Sequence, residues 1–461
     1  MTETQQKQST SEDENTCIEN KDTSIGEFSF YKGKTNIFKS NQKKEKNDIE
    51  INIETTRAEI SGALNAQRVS FLLGAGCSSF KEDNKELGIP TMVPMAQEFI
   101  NSKKNNSNFN LLKNLGIDIQ TYNRNLEPLM EVLFSAQKAL QNTPKQKLKN
   151  IVDNAIKDVK DFILNYFQDN TNKHNTVINL YQQFYQKLIF RDRALPRPWI
   201  FTTNYDLFNE QAMDRLGIPY CNGFSGVIER SFNPSVFRYS LGQQLDISSR
   251  HWEPVDHFVY LCKLHGSISW QESEENTSLF PIKERQPRED DTSEPVLIYP
   301  TPMKQSASLG SPYVDLFREF HKQIVCEQNV LFTIGYSFGD EHINNIIFQA
   351  LTVPNFRLII LTEKKFTEQK GVIKTLFELN DPRIWIISDN DTKTDQGTDK
   401  NISDNNTNTQ TDKHKEQKAY YFETFIKHFM PPEPPKDSID KVIKKFIEEI
   451  RKDKSLHNAN R

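Results

Sequence analysis

The chain has 461 residues, of which 36% are hydrophobic, and a formal net charge of −4. That length could hold two or three average domains, and the charge supplies no global basic field to attract nucleic acid. No stretch reaches the roughly 20 apolar residues that span a bilayer, and the N-terminus lacks the apolar core of a signal peptide, so a cytoplasmic protein without membrane contact is expected.

In chain order, residues 1–50 are rich in Gln, Lys, Glu, Asn, Ser and Thr, and read as a disordered polar tail with a basic run from Lys32 to Lys46. Ile49 to Ala66 reads as a helix. Val69 to Leu73 is an apolar strand that runs straight into Gly74-Ala75-Gly76-Cys77-Ser78. From about 95 to 190 the pattern turns helical. Ile151, Val152, Ile156, Val159, Phe162, Ile163, Tyr166 and Phe167 share one face, while Pro128 fits only the first turn of its helix. This block reads as an inserted helical subdomain, and both a lid over a crevice and plain core packing are open to it.

A second loaded strand, Phe201-Thr202-Thr203-Asn204-Tyr205-Asp206, follows, and then an irregular segment to Tyr260 with scattered Gly and Pro. The third is Lys263-Leu264-His265-Gly266-Ser267-Ile268-Ser269. An acidic loop, a short strand at Val296 to Tyr299 and a helix at Leu316 to Gln328 precede the fourth. There Val330 to Ile334 runs into Gly335-Tyr336-Ser337-Phe338-Gly339-Asp340. Leu358 to Leu361 and Ile384 to Ile387 add two strands with a helix between them. The fold expected for residues 51–388 is therefore α/β: a Rossmann-like parallel sheet with helices on both faces and the helical insertion. Residues 389–416 are a low-complexity loop. Residues 417–461 form a C-terminal helical segment broken at Pro431 to Pro435, whose last stripe (Ile439, Val442, Ile443, Phe446, Ile447, Ile450) could dock on the domain or on a partner.

Strands of a parallel sheet are buried on both faces, and ligands bind outside their carboxyl ends. Asn204, His265, the Gly74 loop and the Gly335 loop should therefore meet at one crevice. Gly74 and Gly76 would let the backbone approach a diphosphate, helped by a following helix N-terminus, although Ser79 stands where the usual third glycine would fall and a tight structural turn explains the loop equally well. Cys77 reads as a small loop filler. The five cysteines include no Cys-x-x-Cys pair, so reduced thiols and no zinc are expected. His342, beside Asp340 and Glu341, has the wrong spacing for a metal cluster, and Asp340 reads as a helix cap. His265 is either a proton acceptor or a satisfied core histidine; His251 and His257 receive no role.

Taken together, Gly-Ala-Gly-x-Ser, Thr-x-Asn-x-Asp, Leu-His-Gly-Ser and Gly-Tyr-Ser-Phe-x-Asp, in that order over residues 65 to about 365, resemble the sirtuin (silent-information-regulator) family. Within it the chain looks closest to the sirtuin-like NAD hydrolases of prokaryotic antiphage defence systems. The resemblance implies an NAD+ glycohydrolase that releases nicotinamide and ADP-ribose. Asn204 would orient the nicotinamide ribose and a water, His265 would be the general base, and Asp206 would orient the Asn204 loop. Gly74, Ala75, Gly76 and Ser78 would hold the phosphates, Gly335, Ser337 and Phe338 would line the adenosine side, and Cys77, Thr203 and Asp340 would complete the cofactor-binding set. The charge that develops as nicotinamide leaves requires oriented dipoles and a base that titrates near neutrality, which Asn204 and His265 are able to supply.

The chain departs from protein-deacylating sirtuins in lacking their zinc ribbon, and the Gly88-Ile89-Pro90-Thr91 echo of a family loop lacks its Asp-Phe-Arg. A deacylase or ADP-ribosyltransferase, and a non-catalytic NAD or ADP-ribose sensor, are the alternatives. A free NAD hydrolase would harm its own cell. Restraint by self-assembly into a homo-oligomer, or by a partner such as a HerA-type ATPase or an Argonaute protein, is what the resemblance implies.

Overall fold

The computed structural model describes residues 25–38, 46–82, 85–103, 107–167, 174–192, 194–246, 251–255, 257–273, 281–285, 295–297, 311–367, 371–390 and 417–432. Nine strands form its main sheet: β1 Phe28–Lys32, β2 Thr35–Asn36, β3 Arg68–Leu73, β4 Trp199–Thr202, β5 Tyr220–Cys221, β6 Val259–Lys263, β7 Asn329–Ile334, β8 Arg357–Thr362 and β9 Ile384–Asp389. They lie in the order β2-β1-β9-β8-β7-β3-β4-β6-β5, parallel from β9 to β5, with β1 and β2 joining antiparallel at one edge. The six central strands β6-β4-β3-β7-β8-β9 have the order 3-2-1-4-5-6 of a dinucleotide-binding fold, and strand order reverses between β3 and β7.

Why these runs become central strands is visible in their burial. Along β3, Val69, Phe71 and Leu73 enter one hydrophobic cluster while Leu72 enters the other; along β8, Ile359 and Leu361 alternate in the same way with Leu358 and Ile360. Side chains of a strand point alternately to its two faces, so a continuous apolar run is required only where both faces are covered.

One face carries α1 Lys46–Leu64, the helical block α2 Met92–Lys103, α3 Ser107–Leu112, α4 Glu127–Leu140, α5 Gln146–Asn165 and α6 Asn175–Leu188, then α7 Phe208–Leu216 and the segment 417–430. Pro128 sits in the first turn of α4, and α5 buries Val152, Ala155, Ile156, Val159 and Ile163. The other face carries α8 Tyr313–Ile324, α9 Glu341–Leu351 and α10 Val372–Glu378. It also carries a five-stranded antiparallel sheet in the order Pro295–Leu297, Gly266–Glu272, Ile282–Glu284, Arg230–Phe232, Phe224–Ser225. That sheet buries Trp270 against Phe224, with ring centroids 5.1 Å apart.

Two features depart from the sequence reading. Within the supposed polar tail, β1 pairs with β9 and buries Phe28 and Phe30, the latter with its ring centroid 5.5 Å from that of Trp385. Five residues of alternating pattern are too short to show in a composition averaged over fifty. The glycine loop is followed by a 3₁₀ turn, Ala75–Cys77, and by the short pair Lys81–Glu82 and Lys85–Glu86; the next α-helix starts only at Met92. The low-complexity loop from 391 and the stripe from Ile439 to Ile450 lie outside the described residues. No helix of the described residues is long and apolar enough to cross a membrane.

Candidate functional site

One row of the sheet fixes the geometry. Ile334, Leu73, Thr202 and Lys263 are register partners across β7, β3, β4 and β6. Gly335 and Gly74 follow this row at once, and Asn204 and His265 each stand two residues beyond it, so the four polar strand exits are immediate neighbours. They open at the carboxyl ends of the strands, around the point where strand order reverses.

Asn204 is 8% exposed. Its Nδ2 donates to the carbonyl of Gly74 (2.9 Å) and to Ser78 Oγ (2.8 Å). A carbonyl only accepts, which fixes the orientation of the amide; with both Nδ2 hydrogens committed, Asn204 has only its Oδ1, an acceptor, left to offer a ligand. Ser78 Oγ in turn donates to Asp206 Oδ2 at 2.6 Å, while Asp206 Oδ1 accepts from Phe208 N at the start of α7. Asp206 therefore holds Asn204 through one intervening hydroxyl. Tyr181, on α6 of the helical block, brings its hydroxyl to 3.5 Å from Ser78, so this block packs against the exits as core.

The glycines have a structural explanation of their own. A Cβ on Gly74 would stand 2.4 Å from the Gly335 oxygen, and one on Gly76 would stand 2.7 Å from Gly335 Cα. Gly335 itself has φ +63°. Two neighbouring exits cross here at backbone contact, which only glycine permits. Cys77 fills the turn beneath, its thiol donating to the Ile334 carbonyl, and burial pushes that thiol well above its ordinary pKa, against any nucleophilic role. Ser78, expected to hold a phosphate, is buried with its hydroxyl accepting from Asn204 and donating to Asp206. Ala75 is exposed, Thr203 half-buried with its N–H on the Leu73 carbonyl.

His265 lies one residue before a glycine with φ +92°. Its Nε2 is 3.0 Å from Asp340 Oδ2. The other oxygen of the same carboxylate caps α9, accepting from His342 N (2.9 Å) and Ile343 N (3.2 Å). Asp340 thus caps a helix, as the sequence suggested, and faces the imidazole as well. A carboxylate can only accept, so in the neutral imidazole Nε2 carries the proton and Nδ1 holds the lone pair. Tyr336 supports this corner, its hydroxyl donating to the Asp340 carbonyl (3.3 Å), and burial raises its pKa. Phe338, at φ +58°, is buried with its carbonyl accepting from Asn344 Nδ2, whereas Ser337 and Gly339 are exposed. Of the three residues expected on the adenosine side, Phe338 is thus buried, Gly335 half-buried and only Ser337 exposed.

Beneath the exits, Lys263 Nζ is 3.0 Å from Glu210 Oε1, both side chains buried. Burial raises the Glu210 carboxyl against the opposing pull of Lys263. Among the described residues no group of three or more His, Cys, Asp or Glu side chains could hold a metal ion. A small cleft lined by Leu188, Arg191, Pro198 and Phe258 opens where β4 and β6 begin, at the far end of the sheet from this chemistry.

Residues 198–381, from β4 through α10, match the family of the SIR2-like domain; the match includes Asn204, His265 and Asp340 but not the glycine loop. No curated protein matches the chain. Among solved structures, a Sir2 homologue bearing a histidine-to-asparagine substitution, in complex with ADP-ribose, is 12% identical with a TM-score of 0.30, covering 71% of this chain and 94% of its own. A serine-to-alanine mutant of a Sir2 homologue, also with ADP-ribose, is 11% identical with a TM-score of 0.28, covering 71% and 95%.

Proposed function

We propose that the chain is an NAD+ glycohydrolase, using water to convert NAD+ to nicotinamide and ADP-ribose with release of one proton. The observation that supports this reading most is the adjacency of Asn204 and His265, two residues beyond one row of the sheet on neighbouring strands, with Asp340 on the imidazole. Nicotinamide departs with the glycosidic electron pair, leaving an oxocarbenium-like ribose. Asn204 Oδ1 accepts a hydrogen bond from the ribose or the attacking water, and the fixed amide needs no reorganisation as charge develops. Water then adds to the anomeric carbon, and its proton passes to His265 Nδ1, with Asp340 stabilising the imidazolium. In the Gly74 loop the N–H groups of Gly74, Gly76, Cys77 and Ser78 are held by internal carbonyls, so the exposed Ala75 is the residue of that loop best placed to face the diphosphate.

In its cellular setting the same reading extends to antiphage defence by NAD+ depletion, held in check by self-assembly or by a partner such as a HerA-type ATPase or an Argonaute protein; its support is the resemblance of the four motifs. The test is NAD+ consumption followed by chromatography for wild type, Asn204→Ala and His265→Ala, alone and in lysate of phage-infected cells. Nicotinamide and ADP-ribose appearing with wild type only is the expected result. ADP-ribose binding without cleavage in any condition would overturn it in favour of a sensor, and cleavage that requires an acylated peptide would favour a deacylase.

A further inference from the structure

The glycohydrolase reading leaves one fully buried cation without a role. Lys263 ends β6, and its side chain is 1% exposed. Its ammonium donates to the main-chain oxygens of Tyr205 (3.3 Å) and Asp206, to Glu210 Oε1 (3.0 Å) and to Ser267 Oγ (2.9 Å). An ammonium has three hydrogens, so four acceptors enclose it completely.

Burying such a group is costly unless it is both paired and hydrogen-bonded. Glu210 alone would neutralise it. The remaining acceptors have a different logic: two are the carbonyls of the residues that directly follow Asn204, and the third is the hydroxyl two residues beyond His265. Tyr205 O accepts in addition from Ile268 N at 3.1 Å, which ties the same two exits by backbone. One buried charge thus touches both loops that carry the proposed chemistry, from below, without reaching the crevice.

We infer that Lys263 is a positioning residue for the cleavage proposed above: it locks the Asn204 loop and the His265 loop in a single register, and Glu210 serves to make its burial tolerable. A lysine that only balanced Glu210 would be dispensable once Glu210 is neutral. A lysine that positions the loops would not.

The test compares Glu210→Gln with the Lys263→Met/Glu210→Gln double variant, which removes the charge pair without stranding either partner. Amide hydrogen exchange reads the loops whether or not NAD+ is cleaved. The expected result is at least tenfold faster exchange at Asn204, Phe208 and Ile268 together in the double variant, with Phe201 and Leu261 in the strands unchanged and a melting temperature close to that of Glu210→Gln. NAD+ turnover should fall at least tenfold in kcat with little change in KM. Unchanged exchange and kcat in the double variant would overturn the inference and leave Lys263 a counter-ion. Absence of NAD+ cleavage by wild type would sink the glycohydrolase reading, while the exchange pattern would still decide the role of Lys263.

Discussion

Replacing Asp340 by Asn separates two functions that a single carboxylate performs. Asp340 Oδ1 caps α9 through His342 N and Ile343 N, and Oδ2 meets His265 Nε2 at 3.0 Å. Asn caps a helix about as well as Asp, so its Oδ1 keeps the two N–H bonds and its NH2 group falls where Oδ2 was. That group donates, which forces Nε2 to become the acceptor and moves the imidazole proton to Nδ1. The atom proposed to take the proton from water is then already protonated. The analogous exchange in a serine protease costs on the order of 10⁴ in kcat by imposing the wrong tautomer. A loss of about 10³ to 10⁴ in kcat for NAD+ cleavage is expected here, with KM within about threefold, because the change touches the transition state rather than ground-state binding. Stability should barely move. Asp340→Ala, in contrast, removes the cap and leaves the imidazole N–H without its acceptor, together about 2–3 kcal/mol, and should lower the melting temperature by several degrees. Steady-state kinetics and thermal melts on both variants are the assay. Activity of Asp340→Asn within threefold of wild type, or a melting temperature as low as that of Asp340→Ala, would refute the tautomer argument.

Other substitutions test the rest of the site and the edge of the sheet. Asn204→Ala should reduce NAD+ cleavage by at least about 10³ while costing no more than about 2 kcal/mol of stability, since the Gly74 carbonyl keeps the Cys77 N–H and only Ser78 is loosened. Ser78→Ala, which cuts the link from Asp206 to Asn204, should lower kcat by roughly 10- to 100-fold; an unchanged kcat would show that Asn204 is held by Gly74 alone. Gly74→Ala places a Cβ 2.4 Å from the Gly335 oxygen and should destabilise the fold by about 3 kcal/mol in a denaturant melt. Asp389 is pushed up to about 6 by burial, against about 3.9 for a free Asp carboxyl. Its neutral form is thus favoured on folding, and the stability it contributes is full below about pH 4 and lost as pH rises through about 6. A carboxamide in place of the Asp389 carboxyl would keep the acceptor for Ala419 N without the charge, so the stability gain of Asp389→Asn should grow from nothing near pH 4 to about 1–2 kcal/mol above pH 7, discounted for partial solvent exposure; a gain independent of pH would contradict the assignment.

Much of the fold could be read from the chain because parallel strands buried on both faces leave a plain mark, a short apolar run stopped by a polar loop. Phe71, Phe201, Leu261 and Phe332 all sit in such runs, and each run became a central strand. The amphipathic stripe of α5 was legible for the same reason, its period being that of a helix with one face buried. Strand β1 was not, because two buried phenylalanines in a five-residue strand leave no periodic signal that outweighs the polar residues around them. Of the antiparallel sheet around Trp270 the short strand at Val296 was anticipated, but Phe224–Ser225, Arg230–Phe232 and Ile282–Glu284 are too short for alternation to emerge.

At the candidate site the residue types were legible and their partners were not. A motif gives the order of side chains along one exit, whereas three of the hydrogen bonds that orient them join two exits: Ser78 to Asp206, His265 to Asp340, Lys263 to Glu210. These pairs are separated by 128, 75 and 53 residues, and only the register of β7, β3, β4 and β6 brings them together. The glycine loop, too, was open to two readings in the sequence. Close approach to a diphosphate and close approach to a neighbouring backbone make the same demand on Gly74, the absence of a Cβ, and the neighbour that meets that demand here is Gly335. The glycines therefore report on how tightly the two exits are joined, and the acceptor and base held beside them are what carry the functional reading.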